Sequence, residues 1–326
     1  MVTKVDSAFH QIKETKQEDT PEYKEYRRRW YENPKTHTVG EFPIHLDLEG
    51  TPSCNLKCVF CYQSFDPLEK GFMEMDLFKK CIDEGVEKGL CSIKLQYRGE
   101  TLLHPKVVEM VQYAKDKGVL EVMFNTNGML LTEELSRKLI NAGIDKIIFS
   151  IEGTDAETYE KLRIGAKWET VLNNIKALKR VKEELGSEKP ITRAQMVATP
   201  ELKDKVDEYA EFWSQYVDNI GIDEYLDYRQ DMSTPTISKE FACPQFWQRL
   251  IVFWDGTIIP CCEERHGKLA VGNAKTESIS DVWKGPKMQK LREKHLSGES
   301  HTIPSCATCI SRKHIIDNHI NKKESS

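Results

Sequence analysis

No apolar run in this chain approaches the ~20 residues that a membrane-spanning helix needs, and the polar N-terminus lacks the apolar core of a secretion signal. A basic excess is also missing. The 47 lysines and arginines stand against 52 aspartates and glutamates, and a formal charge of -5 argues against a general nucleic-acid binder. Histidines at ligand spacing are lacking too, so His104, His266 and His295 read as non-ligands. These absences lead to the expectation of a cytoplasmic protein with no membrane and no nucleic-acid partner. Cysteine, by contrast, is plentiful. Ten cysteines without a secretion signal point to reduced thiols and metal sites rather than a disulfide framework. At 326 residues, 39% hydrophobic and 30% charged, the chain can bury a sizeable core and divide into one large and one small domain.

Three of the cysteines crowd one loop, Cys54-Asn55-Leu56-Lys57-Cys58-Val59-Phe60-Cys61-Tyr62. A 4Fe-4S cluster wants a thiolate on each iron, so three close cysteines can cap three corners and leave the fourth exchangeable. Structural zinc is the rival, and it needs a fourth ligand, for which His45 is the nearest histidine upstream.

With the aromatic Tyr62 directly after it, this spacing resembles the hallmark of radical S-adenosylmethionine (radical SAM) enzymes. Further motifs follow in order. Arg98-Gly99-Glu100-Thr101-Leu102-Leu103-His104-Pro105 resembles the family's Gly-Gly-Glu-Pro turn, with Arg98 and Thr101 in place of the usual glycine and proline. Thr126-Asn127-Gly128 and Ser150-Ile151-Glu152-Gly153 are similar to segments that end strands beside the cofactor's ribose and methionine, with Glu152 where relatives often carry aspartate. Arg163 stands where many relatives have an arginine near the cofactor carboxylate. The resemblance, over about residues 43 to 312, implies a 4Fe-4S cluster on Cys54, Cys58 and Cys61. It also implies S-adenosylmethionine contacts from Tyr62, Gly99, Glu100, Thr101, Thr126, Asn127, Ser150, Glu152 and Arg163. Reductive cleavage would then yield a deoxyadenosyl radical that removes hydrogen from an unactivated carbon, served by an electron donor such as flavodoxin or ferredoxin. Singly, each motif has a plainer meaning: Gly99 closes a turn, and Thr126-Asn127-Gly128 is a turn before the helix cap Thr132.

Hydrophobic periodicity supports the same architecture. Strand patterns over 44–48, 92–97, 120–125, 146–151, 191–198 and 220–226 alternate with helical patterns over 75–88, 105–117, 133–142, 168–185 and 203–216. Parallel neighbours need long crossovers, so this alternation predicts an α/β parallel sheet, which the resemblance makes a partial (βα)6 TIM-like barrel. Ligand sites in such folds gather at the carboxyl ends of strands, where all four motifs fall. The expected organisation is a charged N-terminal helical extension over 1–41, the barrel over 42–230, a cysteine-rich iron-sulfur domain over 231–312 and a polar tail over 313–326. The aromatics of a helix near 21–31 should pack on the barrel; the alternative is that Arg27, Arg28 and Arg29 form an anion-binding patch.

Five cysteines fall late in the chain: Cys243, Cys261, Cys262, Cys306 and Cys309. With the Asp255-Gly256 hairpin turn, they resemble a SPASM or twitch extension holding an auxiliary 4Fe-4S cluster. No cysteine follows Cys309, so one auxiliary cluster is expected, for two in all. Cys243, Cys261, Cys306 and Cys309 are the assigned ligands, and Cys261 and Cys262 can exchange roles. The spare Cys262 either packs or donates a hydrogen atom to a substrate radical. Cys81 and Cys91 read as structural.

The expected substrate is a polar small molecule, such as a sugar, aminocyclitol or nucleotide-linked sugar, that is epimerised or dehydrogenated by an enzyme of epimerase, dehydrogenase or dehydratase type. Asp223, Glu224, Tyr225, Asp227 and Tyr228 either bind it or form a solvated linker. Modification of a ribosomal peptide is the alternative. Of another class are an electron-transfer protein and a zinc-stabilised interaction module.

Overall fold

The computed structural model describes residues 9–14, 20–227 and 235–320. The expected boundary at 230/231, Tyr228 and the last six residues of the tail lie outside the described residues.

In chain order the elements are β1 (Phe9–Glu14), α1 (Pro21–Thr36), β2 (His45–Leu48), β3 (Lys57–Cys58), α2 (Met75–Glu87), β4 (Ser92–Lys94), α3 (Val107–Asp116), β5 (Glu121–Thr126), α4 (Glu133–Asn141) and β6 (Lys146–Ser150). There follow α5 (Ala156–Leu162), β7 (Arg163–Ile164), α6 (Trp168–Glu184), β8 (Ile191–Ala198), α7 (Val206–Trp213), β9 (Asn219–Glu224), β10 (Arg249–Val252), β11 (Thr257–Ile259) and β12 (Gly272–Asn273). Helices α8 (Ile279–Lys284), α9 (Pro286–Leu296), α10 (Pro304–Ala307) and α11 (Ile310–Ile315) close the chain, the last running into a π-helical turn, Ile316–Ile320.

Helix starts follow local chemistry. Thr20 accepts from the Tyr23 amide at 3.2 Å with Pro21 in the first turn, and Thr132 and Asp155 cap α4 and α5 in the same way. β2, β4, β5, β6, β8 and β9 pair in parallel, giving the six strands of the expected barrel. Side chains alternate across each strand. Leu46, Ile93, Val122, Phe124, Ile147, Phe149, Ala194, Met196 and Ile220 pack in the large core with α2, α3, α4 and α6. The opposite face is polar: His45 and Asp47 on β2, Lys94 on β4, Asn125 on β5, Gln195 on β8 and Asp223 on β9.

The structure changes the expected organisation in three places. The N-terminal extension is not purely helical, because β1 adds to β9 as an antiparallel edge strand. The late hairpin is not separate from the barrel sheet: β10 pairs in parallel with β2, Arg249 opposite His45, and β11 and β12 extend the same ten-stranded sheet. The segment 313–320 is not a polar tail, since Ile315 and Ile316 are buried against Phe241. Its apolar residues at 315, 316 and 320 are too few to stand out among charges. Helix α1 does pack by its aromatics, with Tyr23 and Tyr26 buried against Ile44. Among the described residues no helix is long and apolar enough to cross a membrane.

Candidate active site

The cysteine loop leaves the carboxyl end of β2 and passes through β3, where Cys58 lies opposite Arg163 of β7. Arg163 donates from Nη1 to the Cys58 sulfur at 3.6 Å. Its Nε and Nη2 grip the Glu152 carboxylate, the second contact spanning 3.0 Å. Glu152 is fully buried. Burial pushes the Cys58 thiol up to about 11, with Arg163 pulling the other way, and raises Cys61 as well. Tyr62 begins a 3-10 turn, Tyr62–Ser64, and the Arg265 guanidinium sits 4.2 Å from its ring centroid.

The glycine-glutamate turn follows β4. A Cβ on Gly99 would meet the carbonyl oxygens of Thr51 and Ser53, each at 2.4 Å, so only glycine lets this turn lie against the start of the cysteine loop. Glu100 is buried and accepts from the Leu102 amide, the Thr126 hydroxyl at 2.7 Å and the Asn127 amide at 2.8 Å. Burial raises its pKa against those hydrogen bonds. The Asn127 side chain donates to Asn55 at 2.8 Å, tying the loop after β5 to the cysteine loop. The Thr101 hydroxyl donates to the Leu95 carbonyl and holds the turn at the position where the family motif usually has proline. Ser150, half-buried, ends β6. The four motifs thus gather at one end of the sheet.

The late cysteines come together from four segments. Cys243 precedes a 3-10 turn (Pro244–Trp247), Cys261 and Cys262 follow β11, Cys306 lies in α10, and Cys309 caps α11, its sulfur accepting from the Arg312 amide at 3.2 Å. All five line one cavity of about 340 Å³, together with Asp223, Glu224 and Tyr225 at the end of β9. The Cys261 thiol, raised by burial, interacts with Cys262, Cys309, Cys243 and Cys306. Cys262 is clamped by Gln245, whose Nε2 donates to its sulfur at 2.8 Å and whose Oε1 accepts from its amide at 3.0 Å.

The pattern of the Radical SAM superfamily matches residues 48–216, half of the chain. The chain belongs to that superfamily. An iron-sulfur cluster-binding SPASM domain matches residues 243–310. The two domains of this radical SAM enzyme imply S-adenosylmethionine and two iron-sulfur clusters. Among its relatives is the tungsten-containing aldehyde ferredoxin oxidoreductase cofactor-modifying protein of Pyrococcus furiosus, 26% identical over 82% of this chain and 87% of that one. The AdoMet-dependent heme synthase of Methanosarcina barkeri is 37% identical over 42% of this chain and 40% of its own. Two solved structures share the fold. BtrN in complex with AdoMet and 2-DOIA has a TM-score of 0.59 and 19% identity, covering 83% of this chain and 94% of BtrN. Streptococcus suis SuiB bound to precursor peptide SuiA has a TM-score of 0.63 and 16% identity, covering 90% of this chain and 77% of SuiB.

The thiols suit the clusters this radical SAM enzyme requires. All ten cysteines are free thiols. Three thiols in one loop and five around one cavity are the donor type that iron-sulfur clusters take. His45 is no fourth ligand: its Nδ1 meets the Ser92 hydroxyl at 2.5 Å and its Nε2 lies 3.5 Å from Asp47.

Several further residues shape this site. Arg98 forms a bidentate pair with fully buried Glu49 at 2.6 and 2.5 Å and donates to the Arg265 carbonyl at 2.6 Å. It thereby ties the Gly99 turn to the segment that follows the late cysteine pair. Its place beside Gly99 was the available signal. His295 and Arg312, beside the late cysteines, gave none, because their proximity is purely tertiary. Asp47 is buried and held below the usual carboxylate range by Lys94 and Arg249, each 3.1 Å away, against the opposing effect of burial.

Asp223 yields a pH prediction. Burial raises its carboxyl to about 6, with Arg193 opposing. The unfolded chain titrates it near about 3.9. The folded chain therefore holds the proton more tightly, so this stabilisation is complete below about pH 3.9 and is lost as pH rises through about 6. Asp223→Asn mimics the neutral form. It should melt above the parent at about pH 8 and level with it at about pH 4; equal melting at the higher pH sinks the assignment.

Proposed function

We propose that the chain removes hydrogen from a polar small molecule, of the sugar, aminocyclitol or nucleotide-sugar kind, leading to dehydrogenation or epimerisation. The observation that carries this reading is the polar end of β9, where Asp223, Glu224 and Tyr225 line the cavity beside the late cysteines and offer a substrate hydrogen-bonding groups next to Cys262.

In this reading Cys54, Cys58 and Cys61 would hold a 4Fe-4S cluster that, with S-adenosylmethionine bound, would supply the hydrogen-abstracting radical chemistry. Glu100 keeps the loops after β4 and β5 in register through Thr126 and Asn127. Arg163 and Glu152 neutralise each other beside Cys58. Cys243, Cys261, Cys306 and Cys309 hold the auxiliary cluster. Cys262, tethered by Gln245, is then the spare thiol able to return a hydrogen atom. The enzyme works in the cytoplasm with a flavodoxin- or ferredoxin-like donor. Peptide modification, suggested by the fold shared with SuiB, is the second reading.

The test is anaerobic turnover of the reduced protein with S-adenosylmethionine and fractionated small-molecule extract in deuterated water. Deoxyadenosine with carbon-bound deuterium in the product is the epimerase result, and Cys262→Ala should then abolish product while deoxyadenosine persists. Full yield from that variant excludes Cys262 as donor. A product two hydrogens lighter without deuterium is the dehydrogenase result. If no fraction stimulates deoxyadenosine while added peptides do, the small-molecule reading falls.

A further inference from the structure

Arg312 is buried to 3% exposure and has no evident counter-charge. Its Nε donates to the Ser300 hydroxyl at 3.1 Å and its Nη1 to the Thr236 carbonyl, while Nη2 has no hydrogen-bond partner. Among the described residues no carboxylate pairs with it. It lines the same cavity as Cys306, Cys309 and Cys243, the ionisable side chains that act on it. A guanidinium this deep calls for an anion, and thiolates on a cluster supply one.

His295, equally buried, faces the same sulfurs. The Cys243 amide donates to its Nδ1 at 3.3 Å, so that nitrogen carries the lone pair and the neutral ring bears its proton on Nε2. Nε2 lies 3.7 Å from the Cys306 sulfur and points its N–H there. The Arg312 amide donates to Cys309 at 3.2 Å and the Glu263 amide to Cys261 at 3.4 Å. Three sulfurs thus receive N–H donors, with a cation behind them. Reduction adds negative charge to a cluster. Cations and N–H donors stabilise the reduced form more than the oxidised one.

We infer that Arg312 and His295 are positioning residues that raise the reduction potential of the auxiliary cluster and poise it to accept an electron. This rests on the proposed ligand set of Cys243, Cys261, Cys306 and Cys309. It favours the dehydrogenation branch of the function. There one substrate hydrogen leaves as an atom to the deoxyadenosyl radical, the second as a proton to solvent, and the remaining electron goes to the auxiliary cluster.

The experiment is a potentiometric titration of the full chain with both clusters assembled, followed by electron paramagnetic resonance. Arg312→Gln should lower the second cluster's midpoint by about 59 mV or more, a tenfold change in a one-electron equilibrium, and leave the first cluster's midpoint unmoved. Arg312→Lys, which keeps the charge, should stay near the parent. His295→Leu removes only the neutral donor and should give a smaller fall; it decides the matter if Arg312→Gln fails to retain two clusters. Variants that carry two clusters at the parental midpoint overturn the inference. A parent chain with about four irons and one signal overturns instead the ligand set on which it rests.

Discussion

Cys58→Ala is expected to abolish deoxyadenosine formation and to lower bound iron from about eight to about four atoms per chain. The thiol is one of three in the loop, and the backbone around it is secured by other means. β3 pairs with β7, the Ser64 hydroxyl donates to the Cys58 carbonyl at 2.7 Å, and the Val59 amide donates to Leu162 at 3.0 Å. The loop should therefore persist without its sulfur, separating lost chemistry from lost fold. Cys81→Ala is the matched control. Cys81 is fully buried on α2 in the large core and belongs to neither set of proposed ligands, so its loss should cost packing and leave iron and cleavage intact. Anaerobic iron analysis and deoxyadenosine quantification check both variants. A Cys58→Ala protein with full iron and full cleavage would remove the loop from the mechanism.

Glu152→Ala should destabilise the fold by about 3–5 kcal/mol, because it strands Arg163 as a buried charge without its carboxylate. Glu152 is fully buried and Arg163 nearly so. The Val197 amide also donates to Glu152 at 3.4 Å, which joins β8 to the pair. The damage should reach the site, since Arg163 stands opposite Cys58 in the β3–β7 ladder and touches its sulfur. Removing both charges is a different case. Glu152→Leu with Arg163→Met leaves nothing uncompensated and should recover much of the lost stability without recovering S-adenosylmethionine cleavage. Thermal melts of the two single variants and the double variant measure the coupling. An unchanged melting temperature in Glu152→Ala sinks the claim.

Much of the barrel was legible before folding was considered. The barrel strands carry apolar side chains on the face that meets the helices, and the crossover helices carry one apolar stripe each. The expected strand 191–198 coincides with β8, and the other five barrel strands lie within a few residues of their elements. The motifs stood out because each is a run of neighbours in sequence. Less was legible where one partner of a contact sits far along the chain. β10 looked like half of a local hairpin, and its parallel pairing with β2 joins residues about two hundred positions apart. Gly99 read as a turn residue, whereas its need for glycine comes from two carbonyl oxygens of another loop.

What this sequence determined by itself was the kind of chemistry: three thiols at close spacing, an ordered set of strand-end motifs, five late cysteines and a six-unit alternation. Those are local patterns, carried by neighbours along the chain. Tertiary structure alone decided which charges neutralise one another. Arg163 faces Glu152 and Cys58, Arg98 joins Glu49 to the Arg265 segment, and Gln245 clamps Cys262. The physical reason is that a buried charge or thiol is governed by whatever lies within a few ångströms of it, and folding brings those neighbours from distant parts of the chain.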